Sequence, residues 1–230
     1  MGALVQMEKS SKLTQFLFPL LVFLVILAAL LWTNPDVGVT WDEPAYISAA
    51  KSYMYWFDQA NDSPEIAFQN KILTERWQVN NEHPPLDKIW SGAVWSLTRG
   101  LTDDLTSHRL GNMLLSAALA AILFIWVRDE FGTLAGFAAV GALFTMPRFF
   151  FHAHLAAMDV PAAFSGFVST FVFWKLLNRR GWAWGLLLGL VWGLALATKI
   201  NAVFIPVILG AWALLFRREW RVILRLVIMG

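Results

Sequence analysis

The stretch FLFPLLVFLVILAALLW, Phe16 to Trp32, decides the fold. It carries no charge and shows no polar alternation, and its length falls in the ~17–25-residue range that crosses a bilayer as a helix. Lys9 and Lys12 precede it, and it leaves through Trp32-Thr33-Asn34-Pro35. A secretory signal has the same polarity, but its apolar core is usually ~7–15 residues long and ends in a small-residue cleavage site. The run is therefore expected to be an uncleaved first span, about 14–33, with a cytoplasmic N-terminus.

Working outward, the rest of the chain has the same character. Of the 230 residues 58% are hydrophobic and 15% charged, against roughly 25% charged in a soluble domain. Further apolar runs lie at about 109–127, 132–147, 158–177, 182–198 and 201–216, and another begins at 220 and reaches Gly230. The expected fold is all-α: a multi-spanning membrane helical bundle forming one transmembrane domain over 1–230. A run that is cut off at Gly230 points to a truncated chain, the N-terminal part of a longer protein.

Charge sets the orientation. Residues 34–107 hold eleven Asp and Glu against five Lys and Arg, whereas the opposite connections carry Arg128, Lys175, Arg179, Arg180, Arg217, Arg218 and Arg221. Cytoplasmic loops are enriched in Lys and Arg, so 34–107 is expected to be an outer loop. Localisation would be a plasma or inner membrane. The net charge of +2 is explained by these loop ends, and nucleic acid is excluded as a partner. With no cysteine, thiolate metal sites and thiol nucleophiles are excluded too.

Two stretches of the loop read as interfacial helices lying on the membrane. Tyr46, Ala50, Tyr53 and Phe57 share one face, and Leu86, Ile89, Trp90, Ala93 and Leu97 form a second stripe after Pro84-Pro85.

Four groups of residues bear on chemistry. Asp42 and Glu43, just beyond the first span, offer a general base for an attacking hydroxyl. The other reading is a helix start, with Asp42 as N-cap and Glu43 in the first turn. Glu82-His83-Pro84-Pro85 offers a histidine for phosphate or proton handling, or merely a polar turn. Arg109, Arg148 and Lys199 are outer-side cations without an orientational reason, and a charge at membrane depth costs at least ~2.5 kcal/mol on insertion scales. They suit a lipid phosphate, with snorkelling as the plainer alternative. His152, His154 and Asp159 have weak metal-ligand spacing, and Asp159 before Val160-Pro161 also suits a helix start. No metal site is assigned; His152 and His154 are weak candidates only.

Taken in order, these pieces resemble the lipid-carrier-dependent glycosyltransferases of the GT-C fold, such as protein O-mannosyltransferases and aminoarabinose transferases. The shared elements are the Asp-Glu pair, Glu-x-Pro-Pro, an Arg opening the second span, Asp-x-Pro opening the fourth, and Thr-Lys between later spans. The resemblance implies a polyprenyl-phosphate sugar donor and inversion at the sugar. It further implies Asp42 as the catalytic carboxylate, with Glu43 beside it. Glu82, Arg109, Asp159 and Lys199 then line the donor and acceptor cavity. His83, which stands where the aminoarabinose branch has lysine, is assigned to substrate binding with them. The acceptor is a hydroxyl on protein, lipid or glycan. No cofactor is required, and a divalent metal is optional. Family members are longer, in keeping with a truncated chain. Two other classes remain, a membrane transporter and a non-catalytic membrane scaffold. Ionisable residues gathered on one face, with no internal repeat, favour the enzyme over the transporter.

Overall fold

The computed structural model describes residues 12–178 and 182–217, and among these there is no strand. The first span is helix α1, Lys12–Thr33. The loop beyond it folds into four helices: α2, Glu43–Asp62; α3, Pro64–Ala67; α4, Asn70–Trp77; and α5, Leu86–Thr98. Then follow α6, Asp104–Phe131; α7, Thr133–Phe144; α8, Pro147–His152; α9, Asp159–Asn178; α10, Trp182–Thr198; and α11, Phe204–Trp212. Among the described residues three segments are long and apolar enough to cross a bilayer: Gln15–Asp36, Asp104–Phe131 and Asp159–Leu177. Thr133–Phe144, Trp182–Thr198 and Ile200–Phe216 are shorter apolar helices. The run expected from 220, together with Arg179, Arg180, Arg218 and Arg221, lies outside the described residues.

Helix α6 is the axis of the bundle, with α1, α5, α7 and α9 packed against it. Small side chains let neighbours approach closely, and Ser107, Gly111, Ser116, Ala117 and Ala120 of α6 are all buried. The second span was expected to open at Arg109, but the helix starts at Asp104. Asp103 supplies the start, its carboxylate accepting the Thr106 amide at 3.0 Å. At 1.5 Å per residue the 28 residues of α6 extend about 42 Å, against a ~30 Å hydrocarbon core. Its first turns pack against α5, where Trp95 donates to Asp104 and Trp90 to the Gly111 carbonyl, and Arg109 sits in that part.

The loop helices pack on one another as a cap. Tyr53 of α2 stacks on Trp77 of α4, ring centroids 4.5 Å apart, and Trp56 donates to the Ala67 carbonyl at 3.0 Å. Ala49, Tyr53, Met54 and Trp95 form its core. A side chain at Gly92 would meet Met54 and the Ala50 carbonyl within 3 Å, so glycine permits the close approach of α5 to α2. The expected stripes are divided accordingly. Ala50 and Tyr53 are buried within the cap, and Ile89 and Ala93 pack on its core, whereas Leu97 stays 81% exposed.

Candidate active site

Arg109 organises the junction between cap and bundle. Its Nε donates to Glu43 Oε1 at 2.7 Å, and Nη2 to Glu43 Oε2 at 2.8 Å and to the Gly38 carbonyl at 2.7 Å. Nη1 donates to Asn34 Oδ1 at 3.2 Å and to the Val37 carbonyl at 2.8 Å. A guanidinium has five N–H groups, and all are used. Glu43 is equally occupied. Beyond Arg109 it accepts the amides of Thr40 at 2.9 Å and Ala156 at 3.0 Å. Burial works against its ionisation, but the bonds from Arg109, Thr40 and Ala156 outweigh it and hold the carboxyl below its ordinary value. The turn carrying Ala156 is fixed in turn by Asn112, whose amide donates to the carbonyls of Leu155 and Ala157. The end of α1, the strap 34–42, α2, α6 and the turn before α9 are thereby tied together.

This tie fixes Asp42 differently from its neighbour. Asp42 occupies the N-cap position of α2, and its carbonyl accepts the amides of Ala45 and Tyr46. Its side chain makes no capping hydrogen bond and is exposed. Of the two readings of Asp42-Glu43, the helix start is realised by the backbone, while the Asp42 carboxylate stays free.

Asp42 lines a cavity of about 420 Å³, together with Tyr46 and Ser48 of α2 and Asn80, Glu82 and His83 from the segment before α5. Asp159, at the start of α9, and Asp87, at the start of α5, are also near. Burial, followed by the fields of Asp87, Asp42, Asp159 and Glu82, pushes the Tyr46 phenol up to about 12. The phenol therefore stays protonated at neutral pH and can act as a hydrogen-bond donor. Lys199 ends α10 in extended backbone and lies close enough to Asp87 to draw its carboxyl downward. It forms no ion pair with any described carboxylate; Asp159 Oδ2 lies 3.1 Å from His152 Nδ1, a contact without hydrogen-bond geometry.

Of the residues expected from sequence, the fold places Asp42, Glu82 and His83 on one cavity, with Asp159 in electrostatic reach of Tyr46 and Lys199 in reach of Asp87. Glu43 and Arg109 lie buried and engaged with each other. His154 is committed elsewhere: Nδ1 donates to the Phe150 carbonyl at 2.8 Å, and Nε2 lies 2.8 Å from Thr33 Oγ1. It does not converge with His152 on a metal position. Sequence reasoning missed Asn34, Asn112, Asp87 and Lys88. Two adjacent charges within the otherwise apolar stretch 86–97 were the available signal for Asp87 and Lys88. They are in fact among the most buried polar residues, Asp87 at 5% and Lys88 at 1% exposure.

Residues 82–229 match the profile of the dolichyl-phosphate-mannose-protein mannosyltransferase family. The chain belongs to this family. The match covers well over half of the sequence, and it includes Glu82, His83, Arg109, Asp159 and Lys199 but begins after Asp42 and Glu43. No curated protein and no solved structure matches. Membership makes the chain a membrane glycosyltransferase of the GT-C type, and it implies a lipid-linked sugar donor. The described residues form an all-helical bundle with membrane-spanning helices, as the sequence led one to expect.

Proposed function

We propose that the chain transfers a sugar from a polyprenyl-phosphate-linked donor to an acceptor hydroxyl, with inversion, in the cavity between α2 and the 79–83 segment. The observation that carries this reading is Asp42, a carboxylate free of capping bonds and exposed on that cavity. The acceptor O–H gives its proton to Asp42 as its oxygen attacks the sugar C1 from the side opposite the phosphate. The C1–O bond breaks, and its electron pair leaves on the lipid phosphate. That leaving group departs easily once its charge is countered, a task for Lys199 and His83. Glu82 and Asp159 are assigned to sugar or acceptor hydroxyls.

Arg109, first expected at the phosphate, has no donor to spare in this arrangement. With Glu43 it is assigned to holding the strap and α2, and so to positioning Asp42. The cap faces the outer side of a plasma or inner membrane, with the N-terminus cytoplasmic, in keeping with the acidic loop. The acceptor would be a hydroxyl of a protein, lipid or glycan.

The test uses membranes of the native host, which supply the acceptor, and radiolabelled polyprenyl-phosphate mannose. Label should leave the lipid fraction in proportion to the amount of this protein. Label that stays on the lipid, with mannose and with other sugars on the same carrier, refutes the reading. Orientation is tested separately with cysteines at Ser63 and Thr133, since there is no background thiol. An impermeant reagent should reach them from opposite sides.

A further inference from the structure

Lys88, in the first turn of α5, is 1% exposed. An ammonium so deeply buried has lost its water, and an ion pair is the usual compensation. Lys88 forms none with any described carboxylate. Its Nζ donates instead to two main-chain carbonyls, Asn80 at 2.6 Å and His83 at 3.0 Å. The same ammonium lies 5.9 Å from the ring centroid of Tyr46 and 6.0 Å from that of Tyr53, within reach of both π-faces.

The two carbonyls bracket Asn81 and Glu82, so the segment gripped by Lys88 is a wall of the cavity. It has no helix or strand of its own, and Asn80 takes a left-handed turn, φ 50°, which asparagine tolerates better than most residues. Helix α2 holds the chain just before this segment: Ser52 donates to the carbonyl of Arg76 at the end of α4 at 2.9 Å, and the Tyr53 hydroxyl to the Val79 carbonyl at 3.2 Å. A methionine would fill the space of Lys88 without the cost of burying charge. What the lysine adds is therefore a donor to two carbonyls that no other described group serves.

We propose that Lys88 is a positioning residue for the transfer reaction, its buried ammonium fixing residues 80–83 so that Glu82 and His83 line the same cavity as Asp42. This role rests on the reading of that cavity as the transfer site. Loss of the ammonium frees the 80–83 wall, while α2 and α5 keep their own contacts through Ala49, Tyr53, Met54 and Trp95.

The experiment compares Lys88→Met with the unaltered protein by peptide-resolved amide hydrogen exchange and by transfer from polyprenyl-phosphate mannose. Exchange in residues 78–84 should quicken at least tenfold while α2 and α5 exchange as before. In parallel kcat should drop at least tenfold, and donor KM should rise as well, since the loosened wall carries His83, which is assigned to the donor phosphate. Unchanged exchange at 78–84 overturns the proposal, as does acceleration throughout the cap, which would make Lys88 a general core residue. Local acceleration with normal kcat overturns it too, since the wall would then not matter to transfer. Should the unaltered protein transfer nothing while Lys88→Met still loosens only 78–84, the transfer reading of the cavity fails and the positioning role goes with it. If Lys88→Met does not accumulate in membranes, Lys88→Gln retains a donor for one carbonyl and should show intermediate acceleration; exchange identical to the parent sinks the proposal.

Discussion

Arg109 and Glu43 lie 66 positions apart and meet as a forked pair, Nε to Oε1 at 2.7 Å and Nη2 to Oε2 at 2.8 Å, with at most 1% of either exposed. Every donor of the arginine has an acceptor, and both carboxylate oxygens have further donors. Such a pair is worth little against an apolar substitute, but half of it left alone is costly.

Glu43→Gln leaves the buried guanidinium without its counter-charge, and unfolding stability should fall by ~3–5 kcal/mol. The carboxyl sits below its ordinary 4.5 in the fold, so its contribution is fully present above that pH and is lost on acidification through the lower folded value. Thermal melts in detergent at neutral pH settle the matter. An unaltered melting temperature for Glu43→Gln would mean that the pair does not hold the cap.

Asp42 stands one residue away and behaves oppositely. Its carboxylate is exposed and caps nothing, so Asp42→Asn should melt like the parent. Transfer should nonetheless fall ~10²–10⁴-fold, the usual worth of a general base. Turnover near that of the parent, in protein that melts normally, removes Asp42 from the mechanism.

Lys199 has no carboxylate partner among the described residues, although pairing with Asp159 is the obvious structural role for it. Lys199→Met should therefore leave the melting temperature in place and weaken donor binding by ~1.5–3 kcal/mol, the scale of a hydrogen bond to an ionised group. Titration of polyprenyl-phosphate mannose against parent and variant gives the comparison. Unchanged affinity with a lowered melting temperature would make Lys199 structural.

Burial pushes the Asp87 carboxyl from 3.8 up to about 6, although Lys88 and Lys199 pull the other way. A folded value above the unfolded one favours the protonated form. The stabilising contribution is thus complete below 3.8 and disappears as pH rises through 6. Melting temperatures of the parent should decline from pH 4.5 to 7 by more than those of Asp87→Asn. At pH 7.5 the variant should be the more stable, by up to ~3 kcal/mol from a shift of this size. Parallel pH curves for the two proteins would show that Asp87 ionises freely.

The sequence alone determined the helical membrane class. Crossing a bilayer is a one-dimensional requirement, a length of chain without charge, and Phe16–Trp32 meets it whatever its neighbours do. The ordered series from Asp42 through Glu82, Arg109 and Asp159 to Lys199 likewise led to the family before any fold was known. The start of α6 was misplaced by five residues because apolarity begins at Arg109, whereas the helix is set by the capping carboxylate of Asp103. Which charges meet was decided only in three dimensions. Asp42 and Glu43 are adjacent and chemically alike, yet one is exposed at the edge of a cavity and the other is saturated by Arg109 and two backbone amides. Nothing along its own helix accounts for the burial of Lys88; the path of residues 79–83 supplies the two carbonyls that its ammonium meets. Hydrophobic transfer sums over neighbours in the chain, but a buried charge depends on partners that the folded path alone delivers.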